Sequence, residues 1–509
     1  MKRFLCFILA IAFALSVCNV PLLAEELGDA MSILLSEDFA FSTLKGKVTD
    51  KNGKGLEGVS VLVYNYDEST PLATIYTNPD GVWQSDEYDV IAGYTYKVIY
   101  YLPAYTFSQN NFDVTAEGIS TSTPDIIATP VEGAVCVASD FEYEISGDEA
   151  IITTYTGSNK KVIVPNEFEG VPVTKIGDNA FAGASVTNVF LNATITVIEN
   201  YAFYNCTLLE EITIPDFVRE IGYDAFRNCT SLKKVNIPLC IENTGSNIFK
   251  GCPLLTAMEV PEGVTNLPSS IFNGMESLKT VSLPDGLASI GDSAFSGCKA
   301  LEEITIPSSV TTIENSAFLN CTALQTINMS EGLDFIGNSA FYNCTALEKV
   351  TLPDSLTNIG YDAFRNCSSL EEINIPLNLQ YSSSNIFKGC PLLTSMEVPE
   401  GITYLPDNMF NGMESLKLVS LPSSLQKIGD SAFSNCKALE EITIPSYVTA
   451  IESSAFSNCT SLKSVTIYEG LESIGTHAFY NCSSLEEITL PDSVENIEYN
   501  AFYNCTNLK

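Results

Sequence analysis

The 509-residue sequence has one histidine, His477, and one tryptophan. Ser/His/Asp and Cys/His nucleophile systems need an imidazole base, and zinc motifs such as H-E-x-x-H need two histidines, so His477 is the only base available to these enzyme classes. Basic residues are also scarce, with 25 Lys and Arg against 62 Asp and Glu and a formal net charge of −37. That charge repels nucleic acids and anionic bilayers. We predict a protein that is not an enzyme, with no cofactor, metal site or nucleic-acid partner.

Long apolar runs are missing except at the N-terminus, where two basic residues precede Phe4–Val17. This run of 14 residues is shorter than the roughly 20 that a helix needs to span a bilayer. Followed by the small residue Ala24, it has the order of a secretory signal peptide. We predict a signal peptide over residues 1–24, export, and no integral membrane segment after cleavage. A lipoprotein signal with a lipid on Cys18 and an uncleaved anchor are the alternatives.

Residues 44–130 follow a predicted linker over 25–43 and contain short β-favouring segments separated by turn residues. Gly-containing turns lie at 52–53 and 80–81, and the segment Tyr94–Tyr101 is close to strict alternation. This length and turn spacing predict a small antiparallel β-sandwich.

One set of residues in this region resembles the carboxypeptidase regulatory-like domain, a transthyretin-like sandwich. The resemblance implies an accessory module without catalytic activity. It rests on Gly46, Val48, Asp50, Gly53, Leu56, Gly58, Val59, Val61, Asp80, Gly81 and Trp83.

The rest of the chain is periodic. A phenylalanine recurs fifteen times, at a spacing of 22 once and of 23 thirteen times. Self-similarity at such a period is typical of repeat architectures and decides the fold class. The recurring residues are Phe181, Phe203, Phe226, Phe249, Phe272, Phe295, Phe318, Phe341, Phe364, Phe387, Phe410, Phe433, Phe456, Phe479 and Phe502.

The unit Leu301–Leu324 shows the pattern, LEEITIPSSVTTIENSAFLNCTAL. Its opening L-x-x-I-x-I alternates with period two and is rich in β-branched residues, which predicts a strand. Pro307 cannot donate a ladder hydrogen bond and is expected to end that strand. The S-A-F-x-N-C segment is predicted to form a short helical or irregular turn. Because one such unit cannot bury its own apolar side chains, the units must stack with a parallel sheet along one side.

The spacing of the apolar residues in this unit resembles the 23-residue leucine-rich repeat of the BspA type, found in bacterial surface and secreted proteins. The residues that carry it are Leu301, Ile304, Ile306, Ile313, Phe318 and Cys321. The resemblance implies a mainly β, right-handed leucine-rich-repeat solenoid with its parallel sheet on the concave face.

The predicted solenoid occupies residues 141–509. A linker over 131–140 leads to a β-rich cap at 141–174, and fifteen repeats follow at 175–509, of which the last is incomplete. The sequence stops at the start of a repeat strand, so we expect either that it continues or that another chain covers this edge.

A second period overlies the first. GYDAFRNC recurs at 222 and 360, and NIFKGCPLLT at 247 and 385, so that both segments return after six repeats. We infer that a block of six repeats was duplicated within this chain. Growth by added length fits a binding or spacing role better than a catalytic centre.

Twelve cysteines occupy one repeat column, three residues after the phenylalanine. In an exported protein such a set suggests disulfides, but the same column holds Ala184, Met275 and Met413, so the position accepts an apolar side chain without a thiol. We interpret the column as buried free thiols that pack as small hydrophobes, and leave disulfides or a metal ladder as alternatives. Its members are Cys206, Cys229, Cys252, Cys298, Cys321, Cys344, Cys367, Cys390, Cys436, Cys459, Cys482 and Cys505.

Glu-Glu pairs recur in one strand column, as at 302–303, and could be mistaken for glycosidase carboxylates. A glycosidase needs one carboxyl group as an acid and one as a nucleophile, with different pKa values. Glutamates that recur in similar surroundings do not acquire such different pKa values, so we interpret the pairs as a solvated acidic surface. The side chains that alternate with the inward Leu and Ile are expected to face the concave surface. This candidate binding face comprises Glu211, Thr213, Lys234, Asn236, Glu259, Thr280, Ser282, Glu303, Thr305, Thr326, Asn328, Lys349, Thr351, Glu372, Asn374, Glu441, Thr443, Glu487 and Thr489.

These residues are small and polar and include no aromatic side chain, which favours extended polar contacts with a protein over a dedicated carbohydrate groove. We predict a secreted or cell-surface binding protein whose partner is an extracellular protein. The BspA-type resemblance implies adhesion to host or matrix proteins or to neighbouring cells. The alternatives are a spacer or self-assembling surface element, and a module that binds glycans or accompanies a hydrolase.

Overall fold

The structure is a computed structural model that describes residues 41–65, 72–86, 90–91, 94–109, 111–116 and 120–509. The predicted signal peptide, the candidate lipid site Cys18 and residues 25–40 of the predicted linker lie outside the described residues. The chain divides into two compact units, one ending at Ala134 and the other beginning at Val135. Nothing that the structure describes is a helix long and apolar enough to cross a membrane.

The described residues of the first unit form two β-sheets around one apolar core. Their strands are β1 Phe41–Thr49, β2 Ser60–Asn65, β3 Ala73–Tyr76, β4 Val82–Gln84, β5 Val90–Ile91, β6 Thr95–Tyr101, β7 Tyr105–Phe107, β8 Asn111–Thr115, β9 Ser120–Ser122 and β10 Ile126–Pro130. One sheet has the order β3-β2-β6-β8 and is antiparallel throughout. In the other, β1 pairs antiparallel with β4 and β5 but parallel with β9 and β10.

The parallel pairs are a departure from the wholly antiparallel sandwich that the turn spacing predicts. Parallel pairing requires a crossover connection, and here the chain between β1 and β9 passes through strands of both sheets before it pairs with β1 again. At the centre of the core, Trp83 is 2% exposed and donates its indole N–H to the Tyr100 hydroxyl over 3.1 Å. Gly46 faces this ring, where a Cβ would lie 2.7 Å from the indole nitrogen, so no larger residue fits.

The second unit opens with five strands that cover the first coil: β11 Phe141–Ser146, β12 Glu149–Tyr155, β13 Lys161–Ile163, β14 Glu167–Phe168 and β15 Val171–Ile176. A single 3₁₀ turn, Ala138–Asp140, precedes them. The β11–β12 hairpin pairs through β12 with β15, and β13 pairs with the next coil at Asn188–Phe190. Two parallel ladders begin here.

Each later coil contributes two strands, although the sequence predicts one. The first strands lie where the L-x-x-I-x-I pattern predicts them and end before the repeat proline. They are Asn188–Phe190, Glu211–Thr213, Lys234–Val235, Ala257–Glu259, Thr280–Ser282, Glu303–Thr305, Thr326–Asn328, Lys349–Val350, Glu372–Ile373, Ser395–Glu397, Leu418–Ser420, Glu441–Ile444, Ser464–Ile467 and Glu487–Ile488.

The second strands are two residues long, with an inward Ile or Leu in most coils. They form a separate parallel ladder and are Val197–Ile198, Glu220–Ile221, Asn243–Thr244, Asn266–Leu267, Ser289–Ile290, Thr312–Ile313, Phe335–Ile336, Asn358–Ile359, Tyr381–Ser382, Tyr404–Leu405, Lys427–Ile428, Ala450–Ile451, Ser473–Ile474 and Asn496–Ile497. A two-residue strand is too short to show a period of two, which explains why the sequence pattern does not reveal it.

The repeat phenylalanines stack along the interior. Phe318, which is fully buried, lies 5.0 Å from Phe295 and 5.1 Å from Phe341, ring centroid to centroid. The S-A-F-x-N-C segment around each ring is an irregular turn rather than a helix. Stacking of one coil on the next therefore supplies the burial that one repeat cannot achieve alone.

The column cysteines are free thiols in this structure, and all of them are buried except the half-buried Cys505. Each thiol donates to the backbone carbonyl of a residue in the preceding coil, as Cys321 does to Phe295 over 3.2 Å. Burial raises the pKa of the Cys206 thiol to about 12, so it remains protonated and able to donate. The column packs as predicted, and its thiols also satisfy carbonyl groups inside the solenoid.

Two interfaces between coils lack the bonding seen elsewhere. Within the described range 120–509, no backbone hydrogen bond joins the coil of Phe249 to that of Phe272, or the coil of Phe387 to that of Phe410. The two rings at each interface are also not stacked on one another, and the Cys column there holds Met275 and Met413. We call these the two fault interfaces; they lie six repeats apart.

The sequence at the fault interfaces explains the missing bonds. The residue before the phenylalanine is alanine in most coils, whereas the four coils at these interfaces have Ile248, Ile271, Ile386 and Met409. These larger side chains need more space between coils. The residue after the second strand normally donates its N–H to the preceding coil, as Gly291 does to the Leu267 carbonyl. At the two fault interfaces this residue is Pro268 or Pro406, which has no N–H to donate.

Candidate functional site

The residues predicted to form the binding face lie on one side of the first strands. Along each first strand the central apolar side chain points inward and the residues before and after it point outward, as in Glu303–Thr305. We call this outward surface the first-strand face. All nineteen predicted residues lie on it, and all are exposed except Asn236, which is half-buried.

Charged residues on this face pair between adjacent coils. Lys234 forms a salt bridge with Glu211 over 3.1 Å, and Lys349 with Glu372 over 2.7 Å. All four side chains are well exposed to solvent, so each pair contributes little to stability. The pairs neutralise charge locally and leave other carboxylates of the column, Glu303 and Glu441, without an ion-pair partner in the described chain.

Two of the predicted binding residues, Asn236 and Asn374, also have a structural role. The side-chain amide of Asn236 accepts a hydrogen bond from the Ile214 N–H and donates to the Ile214 carbonyl, both at 2.8 Å. Asn374, six repeats later, makes the same pair of bonds to Leu352 at 2.7 and 2.8 Å. These amides complete the ladder where the first strand is only two residues long, so both side chains contribute to the pairing of adjacent coils.

The first-strand face contains a depression of about 730 Å³ in the coils that follow the second fault interface. Its lining includes Glu400, Leu418, Ser420, Glu441, Thr443 and Tyr468, and no Lys or Arg. Leu418 is 57% exposed and Tyr468 is 53% exposed. These side chains add an apolar surface to a face that the sequence predicts to be small and polar.

The depression lies over a gap between two first strands. Leu418–Ser420 pairs with Ser395–Glu397, and Glu441–Ile444 pairs with Ser464–Ile467. Within the range 120–509, no backbone hydrogen bond joins Leu418–Ser420 to Glu441–Ile444. Backbone polar groups of both strands are therefore without a strand partner on this side.

Glu400 and Glu441 give the depression its charge. The Glu400 carboxylate accepts the backbone N–H of Ser423 over 3.0 Å and its hydroxyl over 3.1 Å. The backbone hydrogen bond is the main cause that lowers the pKa of Glu400, so this carboxylate is ionised at neutral pH. Glu441 has no hydrogen bond or salt bridge from its side chain within the described part of the chain.

The sequence analysis missed Leu418 and Tyr468, although the internal duplication could have identified them. The equivalent residues six repeats earlier are Thr280 and Ser330, whereas Glu441 corresponds to Glu303. A comparison of the two copies therefore shows where the second copy replaced polar residues by apolar ones on an exposed face.

His477 does not lie with any carboxylate. It occupies a turn position with φ of 60°, and its ring contacts Tyr480 and Tyr499 while Nε2 is 3.3 Å from the amide nitrogen of Asn500. Among the described residues, no group of three or more His, Cys, Asp and Glu side chains could hold a metal ion.

Comparison with known proteins identifies the repeats. The family model of the BspA type leucine rich repeat region matches residues 174–302, 288–411 and 383–509, in six copies. The chain is 31% identical to a leucine-rich repeat protein from Bacteroides ovatus, with a TM-score of 0.60, over 73% of this chain and 98% of that one. It is 32% identical to a leucine rich cell surface protein from Faecalibacterium prausnitzii, with a TM-score of 0.38, over 65% of this chain and 94% of that one.

A comparison with curated proteins gives no match. The family match covers well over half of the chain and coincides with the stacked coils described above. This chain belongs to the BspA-type leucine-rich-repeat family.

Proposed function

We propose that this protein is exported and acts outside the cell as a non-enzymatic binding protein that holds an extracellular protein on its first-strand face. The observation that carries the proposal is the separation of roles within each repeat. Inward positions carry Leu, Ile, Phe and Cys of constant type, whereas outward positions vary from coil to coil and remain exposed over many successive coils. A long, varied and exposed surface on a rigid scaffold suits recognition of an extended partner.

The remaining parts of the chain fit the same role. The first unit would be an accessory domain of the carboxypeptidase regulatory-like type, and the signal peptide over residues 1–24 would direct export. A location on the cell surface is supported by the family and by the similar cell surface protein of Faecalibacterium prausnitzii. The resemblance to the family supports adhesion to host, matrix or neighbouring-cell proteins as the purpose of binding.

The proposal is tested by capture of defined extracellular matrix proteins and glycans on the immobilised protein. In one variant Glu303, Glu441 and Glu487, all on the first-strand face, are changed to Ser. In the control variant Glu220, Glu472 and Glu495, which are exposed outside this face, are changed to Ser. We expect protein capture to fall at least severalfold in the first variant only.

Equal capture by both variants would contradict the use of this face. Absence of capture combined with concentration-dependent oligomers in light scattering would favour a self-assembling surface element instead.

A further inference from the structure

The depression in the second copy of the duplicated block differs from the rest of the first-strand face. We define the copies by the recurrence after six repeats, so that Leu418 in the second copy corresponds to Thr280 in the first. The strand gap beneath the depression is present in both copies, because Thr280–Ser282 and Glu303–Thr305 are also not paired with one another. The gap is thus common to both copies, whereas Leu418 and Tyr468 in its lining are specific to the second copy.

Two outward positions in the lining of the depression are large and apolar in the second copy but polar in the first. Thr280 corresponds to Leu418 and Ser330 to Tyr468. Inward positions kept their residues, as at Phe295 and Phe433. Exposed apolar side chains do not improve folding, and Leu418 and Tyr468 lie together in the lining of one depression. Their placement there indicates a contact with another molecule.

The charge of the depression defines the partner. Its lining carries the carboxylates of Glu400 and Glu441 and no cation. At two places in this column a glutamate pairs with a lysine of an adjacent coil, Glu211 with Lys234 and Glu372 with Lys349. The coils on either side of Glu441 have Leu418 and Ser464 at this position. A cation from a partner would occupy the position that lysine takes in the paired coils.

We propose that this depression binds an extended polypeptide segment in which Lys or Arg alternates with large apolar side chains. The apolar side chains would pack on Leu418 and Tyr468, and the cation would pair with Glu441. This inference rests on the proposed function, because it assigns the partner class and the part of the face that the partner occupies.

The test is fluorescence anisotropy at about 0.15 M salt, where long-range attraction to the acidic chain is screened. The probe is a labelled nonapeptide of alternating Leu and Arg, and its controls carry Ser in place of Leu or Glu in place of Arg. We expect only the Leu-Arg peptide to bind. The double variant Leu418→Thr/Tyr468→Ser, which restores the residues of the first copy, is expected to bind it about tenfold more weakly.

Glu441→Gln has a matched control in Glu303→Gln, since both glutamates occupy the same column and neither has an ion-pair partner in the described chain. We expect Glu441→Gln to weaken peptide binding about three- to tenfold and Glu303→Gln to change it less than about twofold. Equal loss in both variants would show non-specific attraction and overturn the proposal. So would unchanged binding by the double variant, or binding of a neutral oligosaccharide but not of the peptide.

The experiments distinguish a failure of the proposed peptide site from a failure of the proposed function. If the double variant still captures extracellular proteins as the unmodified chain does, the first-strand face binds elsewhere and only the present inference is wrong. If the Leu-Arg peptide binds as expected but no extracellular protein is captured, the inference holds and the proposed function fails.

Discussion

Two residue columns adopt left-handed backbone conformations in the turn around each phenylalanine. The column two residues after it contains Asn or Gly in all coils, with φ near 64° for Asn435 and near 79° for Gly412. Glycine adopts such φ values without strain, and asparagine does so at a lower cost than most other residues. The second column, two residues before the phenylalanine, also has positive φ and contains Asn, Asp or Ser in most coils, with Tyr201 and His477 as the exceptions. The Asn-Cys-Thr and Asn-Cys-Ser triplets of the sequence are thus consequences of turn geometry and thiol packing, and they need no role as glycosylation sites.

This constraint predicts an asymmetry at Asn435. We expect Asn435→Ala to lower the free energy of unfolding by about 1–2 kcal/mol, because the alanine Cβ is strained at positive φ. Asn435→Gly removes the same side chain, including its 3.1 Å hydrogen bond to Ser434, yet should cost clearly less. Chemical denaturation of both variants checks this, and equal losses would rule the backbone explanation out.

The thiols of the column are expected to be unreactive in the folded protein. Burial raises the pKa of Cys321 well above its usual range and leaves little thiolate. Partial burial of its thiol also raises the pKa of Cys136, but this residue is exposed and a reagent can reach it. At about pH 8, alkylation followed by mass spectrometry should label Cys136 rapidly and Cys321 only after unfolding. Rapid labelling of Cys321 in the folded protein would contradict the burial of this column.

At the scale of the element, the phenylalanine ladder couples neighbouring coils. Phe318 stacks on a ring on either side, whereas Phe502 is half-buried and stacks only on Phe479 at 5.3 Å within the described chain. We expect Phe318→Ala to lower the free energy of unfolding by about 3–5 kcal/mol, as for other fully buried aromatic residues.

Phe502→Ala provides the matched control, because it removes the same side chain from a site with one neighbour. It should cost less than half as much as Phe318→Ala in the same denaturation experiment. Similar costs at both positions would contradict a stabilising contribution from stacking between coils.

At the scale of the molecule, the two fault interfaces are the places where the array should open first. In a stacked array, the stability is the sum of the stability of each coil and the interaction energy between neighbouring coils. At the two fault interfaces that interaction lacks backbone hydrogen bonds and stacked rings. At the first, the Thr244 hydroxyl still donates to the Ser269 carbonyl over 2.5 Å, and at the second Ser382 donates to Asp407 over 2.8 Å.

Native-state hydrogen exchange measures how readily the fault interfaces open compared with the other interfaces. Amides of the coils at Phe249 and Phe387 that face the fault interfaces should exchange faster than those of the coil at Phe318, which is bonded on both sides. Uniform protection along the array would contradict the prediction. Because the faults recur with the period of the six-repeat block, they were duplicated with it.

The sequence by itself determined the repeat, its period, the inward residues and the first strands. These follow from local pattern, because alternation, proline and the Phe-Cys spacing recur along the array, and the family match confirms the repeats that they predict. The sequence did not reveal the second strands, such as Thr312–Ile313. A strand of two residues is too short to show alternation, and it forms only by pairing with the adjacent coil. The binding role of the first-strand residues stays a prediction.

Only the tertiary structure decided which surface residues act together. Leu418 and Tyr468 are far apart in the sequence and line one depression because stacking places their coils close together. Asn236 and Asn374 look like exposed polar residues in the sequence, yet the stacked strands engage them in backbone pairing. Such features depend on contacts between coils, whereas the pattern within a coil is fixed by the need of each unit to bury its apolar side.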